Sequence, residues 1–214
     1  MSEAQPVPVL LLISAPSGAG KTTICERLLA KTPGLERVVT CTTRRPRRTE
    51  RDGVDYHFLT PGEFARRLAA GEFLEHATVY GQSYGTLRAS VFEPLRVGRD
   101  LLLTLDVQGT ASIRALAAAD PGLSRSLVTV FMVPPSLAEL ERRLVGRGQD
   151  APGVIRRRLA AARAEMAHGR QFDYLVVSRS ITDTLRRVAA IYEAEKMRPV
   201  RAARPELEAG GQVL

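Results

Sequence analysis

Ala15-Pro16-Ser17-Gly18-Ala19-Gly20-Lys21-Thr22 has the spacing of a loop that wraps a polyphosphate. Every fixed position of G-x-x-x-x-G-K-[ST] is filled except the first, where alanine stands. The chemistry tolerates that exchange. It needs inward-turned backbone amides, a lysine that reaches the outer phosphates, a hydroxyl for Mg²⁺ and a helix N-terminus behind. The pattern implies ATP or GTP binding and leaves the reaction open. An apolar run, Leu101 to Leu105, ends in Asp106. That carboxylate either holds Mg²⁺ or its waters beside the loop, or caps a turn before Gly109. Arg44, Arg45, Arg47, Arg48 and Arg51 crowd around Pro46. Guanidinium forks grip phosphate oxygens in pairs, and Tyr56 and Tyr84 can add phenolic donors, so the stretch reads as an anion clamp. A solvated charge run is the alternative.

These groups need a scaffold. Val9 to Ser14 reads as a buried strand that runs into the glycine-rich loop, and Ile24, Cys25, Leu28 and Leu29 fall at helical spacing until Pro33-Gly34. Strand, loop and helix in that order open a nucleotide-binding α/β unit. Further strands are predicted at Leu101 to Leu105, Leu127 to Val133 and Tyr174 to Val177, separated by helices, which points to a parallel sheet. Thr60-Pro61-Gly62-Glu63 and Ser136-Leu137-Ala138-Glu139 have the form of helix-capping boxes. Residues 145–153 read as a mobile loop between two helices, and the stretch before Leu101 as an insert with its own task. The tail after Arg198 is expected to fray.

Composition narrows the class. The 214 residues suit one domain or one α/β unit with inserts, and 44% hydrophobic against 25% charged residues is enough for a normal core. A net charge of +8 invites nucleic acid, yet aromatics make up 5% and tryptophan is absent, so stacking on bases has little to work with and no nucleic-acid partner is expected. No apolar run approaches the roughly 18 to 20 residues of a membrane span. Val9 to Ile13 follows no basic segment, as a secretory signal would. With Cys25 and Cys41 neither paired nor clustered with histidine, a cytoplasmic chain without membrane contact is expected.

Taken together, the blocks 15–22, Thr43-Arg44-Arg45-Pro46-Arg47, Asp52 to Phe58, Phe73-Leu74-Glu75, Tyr84-Gly85-Thr86, Asp106-Val107-Gln108-Gly109 and Arg143-Leu144 with Gly146-Arg147-Gly148 resemble those of guanylate kinases. The resemblance spans residues 9 to about 195. It implies an α/β fold: a three-layer, parallel-sheet P-loop kinase core at 7–38, 97–139 and 161–198, a GMP-binding insert at 39–96 and a helical lid at 140–160. These form one domain over 1–198, with a tail at 199–214. The implied reaction moves the γ-phosphoryl of ATP to GMP, with dGMP as a further acceptor, in guanine nucleotide synthesis and GMP recycling; oligomeric state is left open. The resemblance assigns Ala15, Pro16, Ser17, Gly18, Ala19, Gly20, Lys21, Thr22 and Thr23 to ATP. Arg44, Arg47, Tyr56 and Tyr84 go to the GMP phosphate, and Thr40, Glu75, Thr86 and Asp106 to the guanine. Thr22 and Asp106 go to Mg²⁺. Lys21, Arg44, Arg143, Arg147 and Arg158 are the implied catalytic set.

The guanine assignment has a physical basis of its own. Guanine presents N1–H and a 2-amino group along one edge, so a carboxylate such as Glu75 can accept from both. Adenine would strand the buried charge, and sites built on such bonds reject analogues by roughly 10⁴-fold. Phosphoryl transfer asks mainly for alignment and charge neutralisation, which leaves His57, His76 and His168 without catalytic duties. Three departures from the usual family pattern stand out: Thr40 where serine is common, Thr104 where an acid is frequent, and Ser178-Arg179 where Asn-Asp is frequent. The first keeps its hydroxyl; the second puts a second carboxylate near Mg²⁺ in question; the third does so for the adenine contacts. A ribose bisphosphate kinase on the same scaffold is a rival reading, opposed by Glu75, Thr86 and Asp106. A non-enzymatic binding module is another, opposed by the intact Gly20-Lys21-Thr22.

Overall fold

The computed structural model of the chain describes residues 6–79, 81–146 and 151–202. At its centre lies β1 (Leu10–Ser14), buried along its whole length. It pairs in parallel with β7 (Asp100–Thr104) on one side and β8 (Leu127–Val133) on the other. β2 (Leu35–Arg37) and β9 (Tyr174–Val177) extend the sheet in parallel, giving the order β2-β7-β1-β8-β9. A strand covered on both faces reads as a continuous apolar run, and successive side chains of β1 go to opposite layers. Leu11 and Ile13 pack with Ile24 and Leu28 of α1 (Lys21–Lys31) and Val188 of α8 (Ile181–Lys196). Leu10 and Leu12 pack with Ile113 of α4 (Val107–Ala119) and Val91 of α3 (Ala89–Arg96). Each such fully buried side chain contributes roughly 1.5–3 kcal/mol relative to exposure.

The predicted core strands are present. β7 begins one residue early, because buried Asp100 is held inside by the Val9 amide, which donates to its Oδ1 at 2.7 Å, and by the Tyr192 hydroxyl, which donates to Oδ2 at 2.6 Å. α5 (Pro121–Ser126) leads directly into β8, and a 3₁₀ turn (Ala167–Gln171) precedes β9.

The insert contains a second sheet of order β4-β3-β6-β5: β3 (Cys41–Thr42), β4 (His57–Phe58), β5 (Phe73–Val79) and β6 (Gln82–Leu87). His57 lies in a strand, as expected. α2 (Pro61–Ala69) starts at the Thr60 cap, whose hydroxyl accepts from the Glu63 amide at 3.1 Å. α6 (Leu137–Gly146) starts in the same way at Ser136. In both helices the glutamate of the capping box turns to arginines instead, Glu63 to Arg67 and Glu139 to Arg143, because a guanidinium one turn away is the stronger donor.

The expected loop over 145–153 is helical at both ends, and residues 147–150 lie outside the described residues. α6 continues through Val145 and Gly146, and α7 (Pro152–Met166) opens with proline in its first turn, where a missing amide costs nothing. Leu144 and Ile155 bury each other with Leu140 and Ala162, which holds the facing helix ends together. Among the described residues no helix is long and apolar enough to cross a membrane.

Candidate active site

The topology alone brings the two chemical landmarks together. β1 and β7 are neighbours in register, Ile13 beside Thr104, so the glycine loop and Asp106 leave the same end of adjacent strands. Ligands of open parallel sheets bind at that end, where the strand order reverses. Lys21 reaches across and its Nζ donates to the Leu105 carbonyl at 2.8 Å. Burial lowers the Lys21 pKa, and the nearby Cys25, Asp106 and Glu165 oppose the shift.

The loop itself is built on glycine where only glycine is comfortable. Gly18 and Gly20 both have φ of 92°, in the left-handed region. Ala15, at the one position departing from the motif, packs into the β1 core. At Gly18 a Cβ would lie 2.7 Å from Leu144 Cδ2, so α6 rests directly on the loop. Gly18→Ala is therefore expected to cost roughly 1–3 kcal/mol of stability through overpacking and left-handed strain. An unchanged midpoint in denaturant unfolding would refute that account.

Asp106 satisfies one of its alternatives outright. Its Oδ1 accepts from the Gly109 amide at 2.8 Å and caps α4. Oδ2 lies outside that bond, and Asp106 lines the same cleft as Lys21 and Thr22. Capping and ligand binding are thus compatible in one carboxylate.

The cleft, of ≈ 380 Å³, is lined by Lys21 and Thr22, by arginines and by residues of the second sheet. In this lining Glu75 on β5 sits opposite Thr86 on β6, and the Thr86 hydroxyl donates to Glu75 Oε1 at 2.6 Å. A Cβ on Gly109 would meet Glu75 Oε2 at 3.2 Å, so the missing side chain leaves room for the carboxylate against α4. Burial raises the Glu75 pKa, the Thr86 hydroxyl opposes this, and Asp106 adds to it. A carboxylate in that state gains from any ligand that donates two N–H groups to it.

Arg44, Arg47, Tyr56, Tyr84 and Thr40 also line the cleft. The Arg44 guanidinium lies over the Tyr56 ring, 5.5 Å from its centroid, and Tyr56 meets Tyr84 edge-on at 6.2 Å. Burial raises the Tyr56 pKa, with Tyr84 adding to the shift, so the phenol stays protonated and able to donate.

The arginines expected in a lid are placed differently. Arg143 is outside the cleft lining; its Nε donates to Glu139 at 2.7 Å and its Nη2 to the Ser178 carbonyl at 2.9 Å. That bond occupies the segment where the adenine contacts were in question. Arg158 is half-buried on α7, and Arg147 lies outside the described residues.

Two acidic residues escaped the sequence reading. Burial raises the pKa of Glu165 on α7 and Asp106 adds to the shift, while Lys21 and the nearby Ser17 amide oppose it; its Oε2 is buried without a partner among the described residues. It supplies the second carboxylate near the phosphate loop that Thr104 does not. Glu50 holds Arg44 by a bidentate pair, both distances 2.9 Å. Neither had a local signal: glutamate on a polar helix face or in an arginine run is the commonest of surface patterns.

The guanylate kinase family model matches residues 8–195. A guanylate kinase of Paramagnetospirillum magneticum is 47% identical over 193 residues, covering 90% of this chain and 87% of that protein. One from Anaeromyxobacter dehalogenans is 47% identical over 199 residues, covering 92% and 85%. The crystal structure of guanylate kinase from Anaplasma phagocytophilum superposes with a TM-score of 0.75 at 31% identity, covering 92% of this chain and 90% of that one.

Proposed function

Since the chain belongs to the guanylate kinase family, we propose that its cleft binds ATP at the Lys21 end and GMP at the Glu75 end. ATP:GMP phosphotransfer is the family reaction, and it turns ATP and GMP into ADP and GDP. One observation carries the placement: a single cleft is lined by the phosphate-loop lysine, by two arginines with two tyrosines, and by a buried carboxylate. Anion, anion and guanine-type donor edge are the respective complements of those three features.

In this reading the loop from Ala15 to Thr23 wraps the ATP phosphates, and Lys21 exchanges the Leu105 carbonyl for the outer phosphate oxygens. Arg44 and Arg47, with the Tyr56 and Tyr84 hydroxyls, hold the GMP phosphate. Glu75 accepts from guanine N1–H and the 2-amino group, and Thr40, Thr86 and Asp106 enclose the base. These residues engage base and phosphate, so dGMP is assigned as a second acceptor. We assign the insert to 39–96, the lid to 140–160 and the core to 7–38, 97–139 and 161–198. Arg143 leaves Ser178 to join Arg147 and Arg158 at the transferring group.

The residues fit a divalent cation, which the family's phosphotransfer uses and which we take to be Mg²⁺. The Thr22 hydroxyl and Asp106 carboxylate are hard oxygen donors lining the cleft beside Lys21. Among the described residues no group of three or more His, Cys, Asp or Glu could hold an ion, so phosphate oxygens and water would complete the shell. Bound there, the ion supplies charge neutralisation at the phosphates. A transition state with little covalent demand then needs no general base from the protein. Purine nucleotide substrates and two free buried thiols suit the cytoplasm, the compartment we assign.

An ADP-release assay with ATP, Mg²⁺ and a panel of acceptors tests the reading. GMP and dGMP should turn over, with AMP, CMP and UMP weaker by roughly 10²-fold or more. Untouched GMP and dGMP alongside phosphorylation of a ribose bisphosphate would sink it.

A further inference from the structure

Glu50 has no part in the transfer described above, yet it sits among the groups assigned to the acceptor phosphate. It accepts from both terminal nitrogens of Arg44, and its Oε2 also accepts from the Arg47 backbone amide at 2.7 Å. The Glu50 amide donates back to the Arg47 carbonyl at 3.0 Å. Residues 47–50 are thereby closed into a turn that carries the Arg44 fork. A guanidinium has five N–H donors. Glu50 takes one from each terminal nitrogen and the Arg45 carbonyl takes another at 2.8 Å, so donors remain for an incoming anion. Arg44 and Glu50 side chains are only 20% and 15% exposed.

We propose that Glu50 is a positioning residue for the acceptor phosphate: it fixes the Arg44 plane and the Arg47 turn before the nucleotide arrives. The inference rests on the GMP reading of the cleft and adds a residue to it. Its physical content is preorganisation. A long side chain that is already ordered loses less conformational freedom on binding. A bidentate fork also holds orientation where a single bond would not. The opposite role, a stand-in anion that phosphate displaces, is disfavoured by the turn. Displacement would break three bonds within one short segment and leave Glu50 unpaired beside a dianion.

Steady-state kinetics on the wild-type chain and on Glu50→Gln test it, with guanosine as an inhibitor lacking the phosphate. The amide keeps the shape but loses charge and one acceptor oxygen. KM for GMP should rise about tenfold, while kcat stays within about threefold and the guanosine inhibition constant is unchanged. An unchanged KM overturns the proposal, and a lowered KM overturns it in favour of the displaced anion. Parallel weakening of guanosine also overturns it, because the insert as a whole would then have lost its shape. Should the wild-type chain itself leave GMP untouched, the underlying reading fails, a result separable from all of these.

Discussion

Lys21→Ala is expected to lower kcat by more than about a thousandfold while GMP binding stays within a few-fold of wild type. The ammonium rests on the Leu105 carbonyl at the end of β7, a neutral partner that anionic phosphate oxygens can replace at a gain. Burial pushes its pKa down and outweighs the opposing pull of three neighbouring groups, so the surroundings leave the ammonium under-compensated until an anion arrives. The chain has lysine elsewhere only at positions 31 and 196, both outside the cleft lining. Arg143 is committed to Glu139 and Ser178 in this state. The cleft arginines Arg44 and Arg47 are assigned to the acceptor phosphate. The acceptor end, built on β5, β6 and the arginine turn, does not depend on Lys21, which is why the two readouts should separate. Turnover and GMP calorimetry on the same preparation check this, and equal loss of both would refute the assignment.

The second large effect is expected on selectivity. Glu75→Gln should reduce the preference for GMP over AMP by roughly 10- to 100-fold, from the loss of one charged acceptor facing two N–H donors. The amide can still accept from Thr86, and it removes a carboxylate whose pKa burial has raised. A group with that shift is less favourable charged in the folded chain than in the unfolded one. The neutral variant should accordingly be at least as stable as wild type, and a thermal melt taken beside the kinetics separates altered recognition from damage. Unchanged discrimination between the two nucleotides would exclude Glu75 from base recognition.

How far the site was readable follows from how local each part is. The phosphate loop, the caps at Thr60 and Ser136 and the strands at 127–133 and 174–177 depend on neighbours within a few residues, and they stand where the spacing placed them. The second sheet was legible only as an insert, since β3 and β4 have two residues each and offer no period to read. Arg143 was expected near the transferring group and instead lies on the Ser178 carbonyl, an acceptor 35 residues away in the chain that no pattern could reveal.

From residue types and order alone follow the polyphosphate loop, the carboxylate proposed to face guanine and the parallel core, because each is a short-range demand of backbone geometry or ligand chemistry. Tertiary packing decided which charges meet. Leu105 lies 84 residues from Lys21, and its carbonyl holds the lysine only because β1 and β7 are adjacent. Gly109 gives Glu75 its space, and Glu165 comes to Ser17 only because α7 folds back over the loop. A buried charge must find its partner wherever the core delivers one, and that delivery is written in the topology of the sheet.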